Sequence, residues 1–318
     1  MPDNKESWVS MKSFFASTVV AASVCAGLCD FVASKNGLQV DVYHQLPASV
    51  VYQNSTELSF SPTAFTLIHG KHDAVLIDAP ATIAQGHALA NWIQQTIPGK
   101  QLKKIYITHG HGDHFFTGPI IQKRYPGAQV VAKKDVYDHM LQQYQPETFA
   151  FVWESLFPGG QVTDTPNPAK VLPENGTFYL EGHALRAVEV GQSDTYNTTV
   201  LHVPDLDLVV GGDVVYGHCH QLFAEDSTTA LRKEWLSSLD KVAALKPKLV
   251  IPSHMQAHDG YRPSHIDETK QYIRVWEQLQ ANSSSWQELE ARTTKNFPDR
   301  TGNFILRWSS QAPFNASF

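Results

Sequence analysis

Lys104-Ile105-Tyr106-Ile107-Thr108-His109-Gly110-His111-Gly112-Asp113-His114 is the stretch on which the reading of this chain turns. The apolar run at 105–107 has the composition of a short buried strand. Directly after it, three imidazoles and one carboxylate fall between positions 109 and 114. Packing rarely needs so many such side chains together. A zinc-like ion does, because it requires several nitrogen and oxygen donors converging on one point. His109 and His111 are two apart, so an extended chain leaving a strand turns both to one side. Asp113 and His114 follow in a turn and can aim at a neighbouring position. One loop can thus serve two sub-sites.

Outward from this loop the chain reads as strands followed by helices, twice. Leu38–Tyr43 alternates, and Ala64–Ile68 and Ala74–Asp78 flank the turn-like Gly70-Lys71-His72-Asp73, which predicts a hairpin. A helix is expected from Ala81 to Gln95, closed by Pro98-Gly99. Strands are expected at Lys104–Thr108 and Gln129–Ala132, and a helical piece at Ala150–Leu156. The second half offers strands at Phe178–Leu180, Leu185–Val190, Thr198–Val203, Leu208–Asp213 and Lys248–Pro252. Helices are expected at Thr229–Leu245, Ser264–Gln280 and Ser285–Thr294, and a loop at Gly159–Pro173. Such a pattern predicts two sheets packed face to face with helices outside. No internal repeat or long linker divides the chain, so residues 36–318 are read as one domain.

Composition narrows the function. The chain has 318 residues, 42% hydrophobic, enough for a large core. Its formal charge is -6 and its pI about 6.2. Lys103-Lys104 and Lys133-Lys134 are isolated pairs, so neither a nucleic acid nor an anionic membrane surface is an expected partner. Fifteen His against three Cys favours imidazole and carboxylate metal sites over thiolate ones.

Residues 1–35 read as a signal peptide or N-terminal extension. Lys12 precedes the apolar and small-residue run 13–29, with a candidate cleavage point after Ala26; a buried N-terminal helix is the alternative. Asp30 interrupts the run too early for a membrane span. Five acceptor sequons begin at Asn54, Asn175, Asn197, Asn282 and Asn315 and favour a secreted protein. Loss of the whole leader would take Cys25 and Cys29, leave Cys219, and rule out an intrachain disulfide.

Further ligands should stand at other strand ends. Asp213 closes Val209-Val210-Gly211-Gly212, and His254 closes Val250-Ile251-Pro252-Ser253. Alone, each is more simply a turn carboxylate or a satisfied histidine. Beside the 109–114 cluster both become candidate donors. In the order Asp78, then His-x-His-x-Asp-His, then Gly212-Asp213, then Ser253-His254, the chain resembles the metallo-β-lactamase superfamily over roughly residues 40–260. The resemblance implies an αββα sandwich with metals at one edge. It assigns His109 and His111 to a first metal, Asp113, His114 and His254 to a second, and Asp213 to both. The expected cofactor is zinc, two ions per chain.

One position departs from the family pattern. The Gly-His segment that brings the first metal its third imidazole reads Val190-Gly191-Gln192-Ser193-Asp194-Thr195 here, so Gln192 takes the histidine's place. An amide oxygen is a poorer zinc donor than imidazole, so three readings stand: Gln192 ligates weakly, the first site relies on Asp213 and water, or only the second site fills. Two metals with a weaker first site is the expectation. His183, His202, His218 and His220 are possible replacements, His220 the best placed. Metal-bound water becomes acidic near neutral pH, so the expected chemistry is hydrolysis. The resemblance implies a small cyclic amide or ester, a lactam or lactone, as substrate, with Asp113 carrying a proton to the leaving group. Tyr216, three residues past Asp213, resembles the tyrosine that lactone-hydrolysing members use to assist the carbonyl. His220, Trp153 and Phe157 are candidate pocket residues. The competing readings are a thioesterase, a nuclease, an iron persulfide oxygenase and a binding protein with a degraded first site. The missing basic surface argues against the nuclease.

Overall fold

Alternation along the strands sorts the apolar side chains into three layers. In the computed structural model, which describes residues 29–316, the first sheet holds β1 (Cys29–Lys35) and β2 (Leu38–Gln45). A separate small hairpin follows, β3 (Ser49–Tyr52) and β4 (Ser55–Ser59). The first sheet then continues with β5 (Thr63–His69), β6 (Asp73–Ile77), β7 (Gln101–Tyr106), β8 (Gln129–Ala132) and β9 (Lys170–Val171), in the order β1-β2-β5-β6-β7-β8-β9. The second sheet runs in sequence order through β10 (Thr177–Leu180), β11 (His183–Gly191), β12 (Thr198–Val203), β13 (Leu208–Gly212) and β14 (Leu249–Pro252).

Successive residues of a strand face opposite sides. Val40, Ile68, Val75 and Ile77 of the first sheet therefore meet Leu185, Leu201, Leu208, Val210 and Ile251 of the second in a middle core. Their neighbours Phe65, Leu67, Leu76 and Ile105 face outward onto Leu89 and Ile93 of the helix Ile83–Thr96. Val200, Val209 and Val250 face the other way, onto Trp235 and Leu239 of helix Thr229–Ala244 and onto Ile273 and Trp276 of helix Ser264–Ala281. The result is the expected αββα sandwich. Among the described residues no helix is long and apolar enough to cross a membrane.

Parallel pairing fixes where the loops emerge. β6 pairs β7 in parallel and β13 pairs β14 in parallel, so each pair needs a crossover, and helices Ile83–Thr96 and Thr229–Ala244 supply them. The first helix starts at a capping box, with the Thr82 hydroxyl accepting from Gln85 N and the Gln85 amide oxygen accepting from Thr82 N, an arrangement that contributes about 1 kcal/mol. The C-terminal ends of the parallel strands meet where the sheets are stitched together. Thr199 N donates to Thr108 O (3.0 Å) and Ala64 N to Ser253 O (2.6 Å).

Several expectations need correcting. Residues 29–35, read as the end of the leader or extension, form strand β1: Cys29–Lys35 pairs antiparallel with β2, and Cys29 is half-buried there. The rest of the leader reading, with its cleavage point and Cys25, lies outside the described residues. The segment expected to be an ordinary helix at 150–156 begins as a π-helical turn, Phe149–Glu154. The expected loop 159–173 contributes the edge strand β9. Helices Lys134–Gln143 and Asn303–Gln311 were not anticipated.

Candidate metal centre

Each strand end delivers one part of the centre. β7 leads into His109, His111, Asp113 and His114; β13 ends beside Asp213; β14 ends beside His254; and the β11–β12 connection carries Asp194. These side chains form two groups in which one donor atom per residue lies within 4.8 Å of the others: His109, His111, Asp194 and Asp213, and Asp113, His114 and His254. In the first, His109 Nε2 is 3.2 Å from His111 Nδ1 and 3.7 Å from Asp213 Oδ2, and His111 Nδ1 is 3.5 Å from Asp194 Oδ2. In the second, Asp113 Oδ2 stands 3.4 Å from both His114 Nε2 and His254 Nε2. Asp213 joins the groups, with Oδ1 3.4 Å from His114 Nε2 and Oδ2 3.1 Å from His254 Nε2.

The glycines of the loop permit this crowding. A Cβ on Gly110 would overlap the His139 ring, and one on Gly112 would overlap Phe116 and Trp153. Asp78, at φ +63° after β6, ties the loop to the sheet edge. Its carboxylate accepts from Thr108 N (2.8 Å) and Thr108 Oγ1 (2.8 Å) and lies 3.0 Å from His114 Nδ1. His254 Nδ1 faces Pro62 O at 3.2 Å, His109 Nδ1 faces Thr108 Oγ1 at 3.0 Å, and His111 Nε2 faces Glu225 Oε1 at 3.3 Å. Each imidazole thus engages one nitrogen outside the centre and keeps the other turned into it, the arrangement by which outer carboxylates and carbonyls fix metal-binding tautomers.

The donor set fits divalent metal. All seven side chains are buried. His114 Nε2 and Asp213 Oδ1 are shut from solvent without a hydrogen-bond partner. Leaving such atoms unsatisfied costs about 1–3 kcal/mol each, and a shared cation satisfies both. Electrostatics agree. Burial disfavours charge on His254, yet Asp213 and Asp113 overcome it and raise its pKa to about 10. Burial likewise opposes protonation of His114, but Asp213 and Asp113 hold it well above its ordinary value. Burial alone would raise Asp213; His254, His114 and His109 instead hold it well below the carboxylate range. The carboxylates that favour positive charge on His254 and His114 favour a divalent cation at the same place.

Several expected residues stand elsewhere. Gln192 does not line the cleft, and its amide nitrogen is turned to Ser193 O (3.2 Å) and Asp226 Oδ1 (3.3 Å), to both of which it donates. Asp194, two residues on, brings its carboxylate to the first group instead. The chain bulges at Glu189/Gly191 and turns tightly through 192–197, which carries 194 inward. His220 is not a pocket residue, because its Nδ1 is engaged with Tyr272 Oη at 2.9 Å. His218 pairs with Asp259 and His183 with Asp205. His202, on β12, joins neither group. Phe157 packs behind Phe60, ring centres 5.8 Å apart, and does not line the cleft. Trp153 does line it, as do Asp113 and Tyr216. Tyr216 Oη donates to Asp194 Oδ2 and Asp213 Oδ2, both at 3.3 Å. Burial, reinforced by Asp194 and Asp213, pushes this phenol well above its usual pKa and keeps it a neutral donor.

Two residues escaped the sequence reading. Asp194 stands two residues past Gln192, and no spacing pattern marks it, because its inward course depends on the bulge in β11. Glu225 carries no motif. It bridges His111 Nε2 and the Thr195 hydroxyl (2.7 Å).

Comparisons with known proteins agree with this fold. No curated protein sequence matches the chain. Solved structures of similar fold include a metallo-beta-lactamase from Pontibacter korlensis (18% identity, TM-score 0.55, covering 77% of this chain and 99% of that one). Another is the metallo-beta-lactamase FIM-1 from Pseudomonas aeruginosa in its mono-zinc form (16%, 0.53, 78% and 96%). A third is a metallo-beta-lactamase from Hirschia baltica (18%, 0.51, 77% and 97%). The family model described as the metallo-beta-lactamase superfamily matches residues 58–254, the span that runs from β4 to His254 and contains every donor. The chain therefore belongs to the metallo-β-lactamase superfamily, whose members are metal-dependent hydrolases.

Proposed function

We propose that this chain is a zinc-dependent hydrolase that opens a small cyclic amide or ester, a lactam or lactone. The observation that carries the reading is the pair of donor groups sharing Asp213 at the floor of a cleft, with the Tyr216 hydroxyl beside them. The structural neighbours named metallo-beta-lactamases supply the cyclic-amide class, and the tyrosine supports its extension to lactones.

His109, His111, Asp194 and Asp213 would hold one ion; Asp113, His114, His254 and Asp213 would hold the other. Zinc bound there supplies a water acidic enough to be nucleophilic near neutral pH and a Lewis acid for a carbonyl oxygen. The remaining work falls to the chain. The Tyr216 phenol is placed to donate a hydrogen bond to the carbonyl or leaving-group oxygen, which favours the charge that develops there. Asp113, at the cleft surface against two imidazoles, is placed to hold a proton for the departing group. Trp153 presents an apolar face that keeps bulk water from the reacting carbonyl.

The test is a panel of chromogenic β-lactams, γ-lactones and acyclic esters, each with and without chelator. Chelator-sensitive opening of a cyclic member supports the reading; turnover of acyclic esters alone would assign the chain to the esterase or thioesterase class instead. Secretion belongs to the same proposal, since all five sequon asparagines are exposed and open to glycan attachment. Endoglycosidase treatment of protein from its native host should then increase gel mobility, and unchanged mobility counts against it.

A further inference from the structure

With its imidazoles neutral around metal, the cleft would carry negative charge with no Lys or Arg to answer it. Asp113, Asp194, Asp213 and Glu225 all line it, and among the described residues no Lys or Arg does. Two divalent ions at the two donor groups would cancel these four carboxylates and leave no net positive charge for an anionic substituent. The opposite wall is apolar. Val152, Trp153 and Leu156 come from the π-helical turn and its continuation, Leu222 from the segment after β13, and Ile305 and Trp308 from the C-terminal helix Asn303–Gln311. The Trp153 indole N–H is occupied by Gln143 Oε1 at 2.8 Å, so the ring meets the cleft as an apolar surface.

We propose that this site selects uncharged lactams or lactones bearing an apolar or aromatic substituent, and discriminates against those bearing a carboxylate. The nature of the ring opened rests on the hydrolase reading above; the charge selection rests on the cleft lining. A carboxylate entering this cleft gives up its hydration and gains no guanidinium or ammonium partner to offset that loss. A neutral aromatic ring loses little hydration and buries apolar surface against the two indoles.

The experiment uses the zinc-loaded full chain and a matched pair of hydrolysis-inert ring mimics, a phenyl-substituted cyclopentanone and its para-carboxyphenyl counterpart, with binding followed by calorimetry. The neutral ketone is expected to bind at least about tenfold more tightly, a difference well resolved by calorimetry. Equal or tighter binding of the carboxylate overturns the proposal, and so does failure of the neutral ketone to bind at millimolar concentration. The corresponding pair of phenyl-substituted γ-lactones is assayed in parallel. If the binding preference holds but neither lactone opens, the hydrolase reading falls and the selectivity stands. If the carboxylate lactone opens with equal or higher kcat/KM, the selectivity falls and the hydrolase reading stands. Thr148→Lys, at the partly buried rim of the cleft, should narrow the binding ratio severalfold; an unchanged ratio would overturn the charge argument.

Discussion

The two donor groups are built from the same side-chain types but are supported differently. In the second, His114 is held by Asp78, a carboxylate only 1% exposed and itself tied to the Thr108 backbone and hydroxyl. His254 is held by a backbone carbonyl at the start of β5. In the first, His111 leans on Glu225, whose side chain is 38% exposed at the cleft rim. Asp194 sits in a connection between strands rather than at a strand end. Burial and the neighbouring Asp213 also raise the Asp194 pKa to about 6, so this carboxylate gives up its proton less readily. The two groups therefore differ in how their ligands are supported rather than in ligand type. A rigid buried support should hold metal longer than a solvated one.

The largest expected effect lies where the groups join. Asp213→Ala should lower kcat/KM by more than about 100-fold, beyond what loss of an outer-shell partner costs, and metal analysis should show both ions depleted. If one ion is retained at full occupancy, Asp213 does not link the groups. Next comes the support itself. Asp78→Ala should weaken zinc retention against a competing chelator by about 10–100-fold. Glu225→Ala should fall at the low end of that range, because water already reaches its carboxylate. Equal losses would erase the distinction between the two groups.

The third prediction separates Asp194 from Gln192. Asp194→Ala should reduce bound metal, whereas Gln192→His, which points toward Asp226, should leave retention unchanged within error. The reverse outcome would restore the amide to the centre.

A fourth concerns pH. The His254 pKa of about 10 lies above its ordinary value near 6.5. Its pairing therefore stabilises the metal-free fold fully below about pH 6.5 and is lost as pH rises through about 10. Asp113 and Asp213 are held low, so their contribution is present above about pH 4 and lost in acid. Zinc must displace these protons, and its stabilisation of the fold, read as a shift in Tm, should be larger at pH 8.5 than at pH 5.5. The opposite pH trend would contradict the exchange of protons for metal. The smallest effect on activity is expected from His220→Ala. Loss of its contact with Tyr272 should lower stability by roughly 1–2 kcal/mol, leaving kcat/KM unchanged because the ring does not reach the cleft.

Sequence alone was informative wherever period and spacing carried the signal. Leu208–Gly212 and Leu249–Pro252 are continuous apolar runs flanked by turn residues, Asp213 and His254 stand just past their ends, and the 109–114 cluster makes both candidate donors. Asp194 was not legible, because its inward course depends on a bulge in β11 and on hydrogen bonds from Ser193 N to Thr195 O and from the Thr195 hydroxyl to Glu225. The apolar wall was only half legible. Trp153 stood near the expected helix, whereas Trp308 and Ile305 reach the cleft from a C-terminal helix that no local pattern links to the site. His220 and Phe157 misled through proximity in sequence: the former turns toward Tyr272 and the latter toward Phe60, both into packed cores.

The most direct measurement follows metal content and lactam or lactone opening together in one sample, stripped with chelator and then titrated with zinc. The expected result is that hydrolysis disappears on stripping and returns in step with added zinc, reaching its maximum at two ions per chain. Hydrolysis that persists in the metal-free protein, or a fully zinc-loaded protein that opens no cyclic amide or ester, would contradict it.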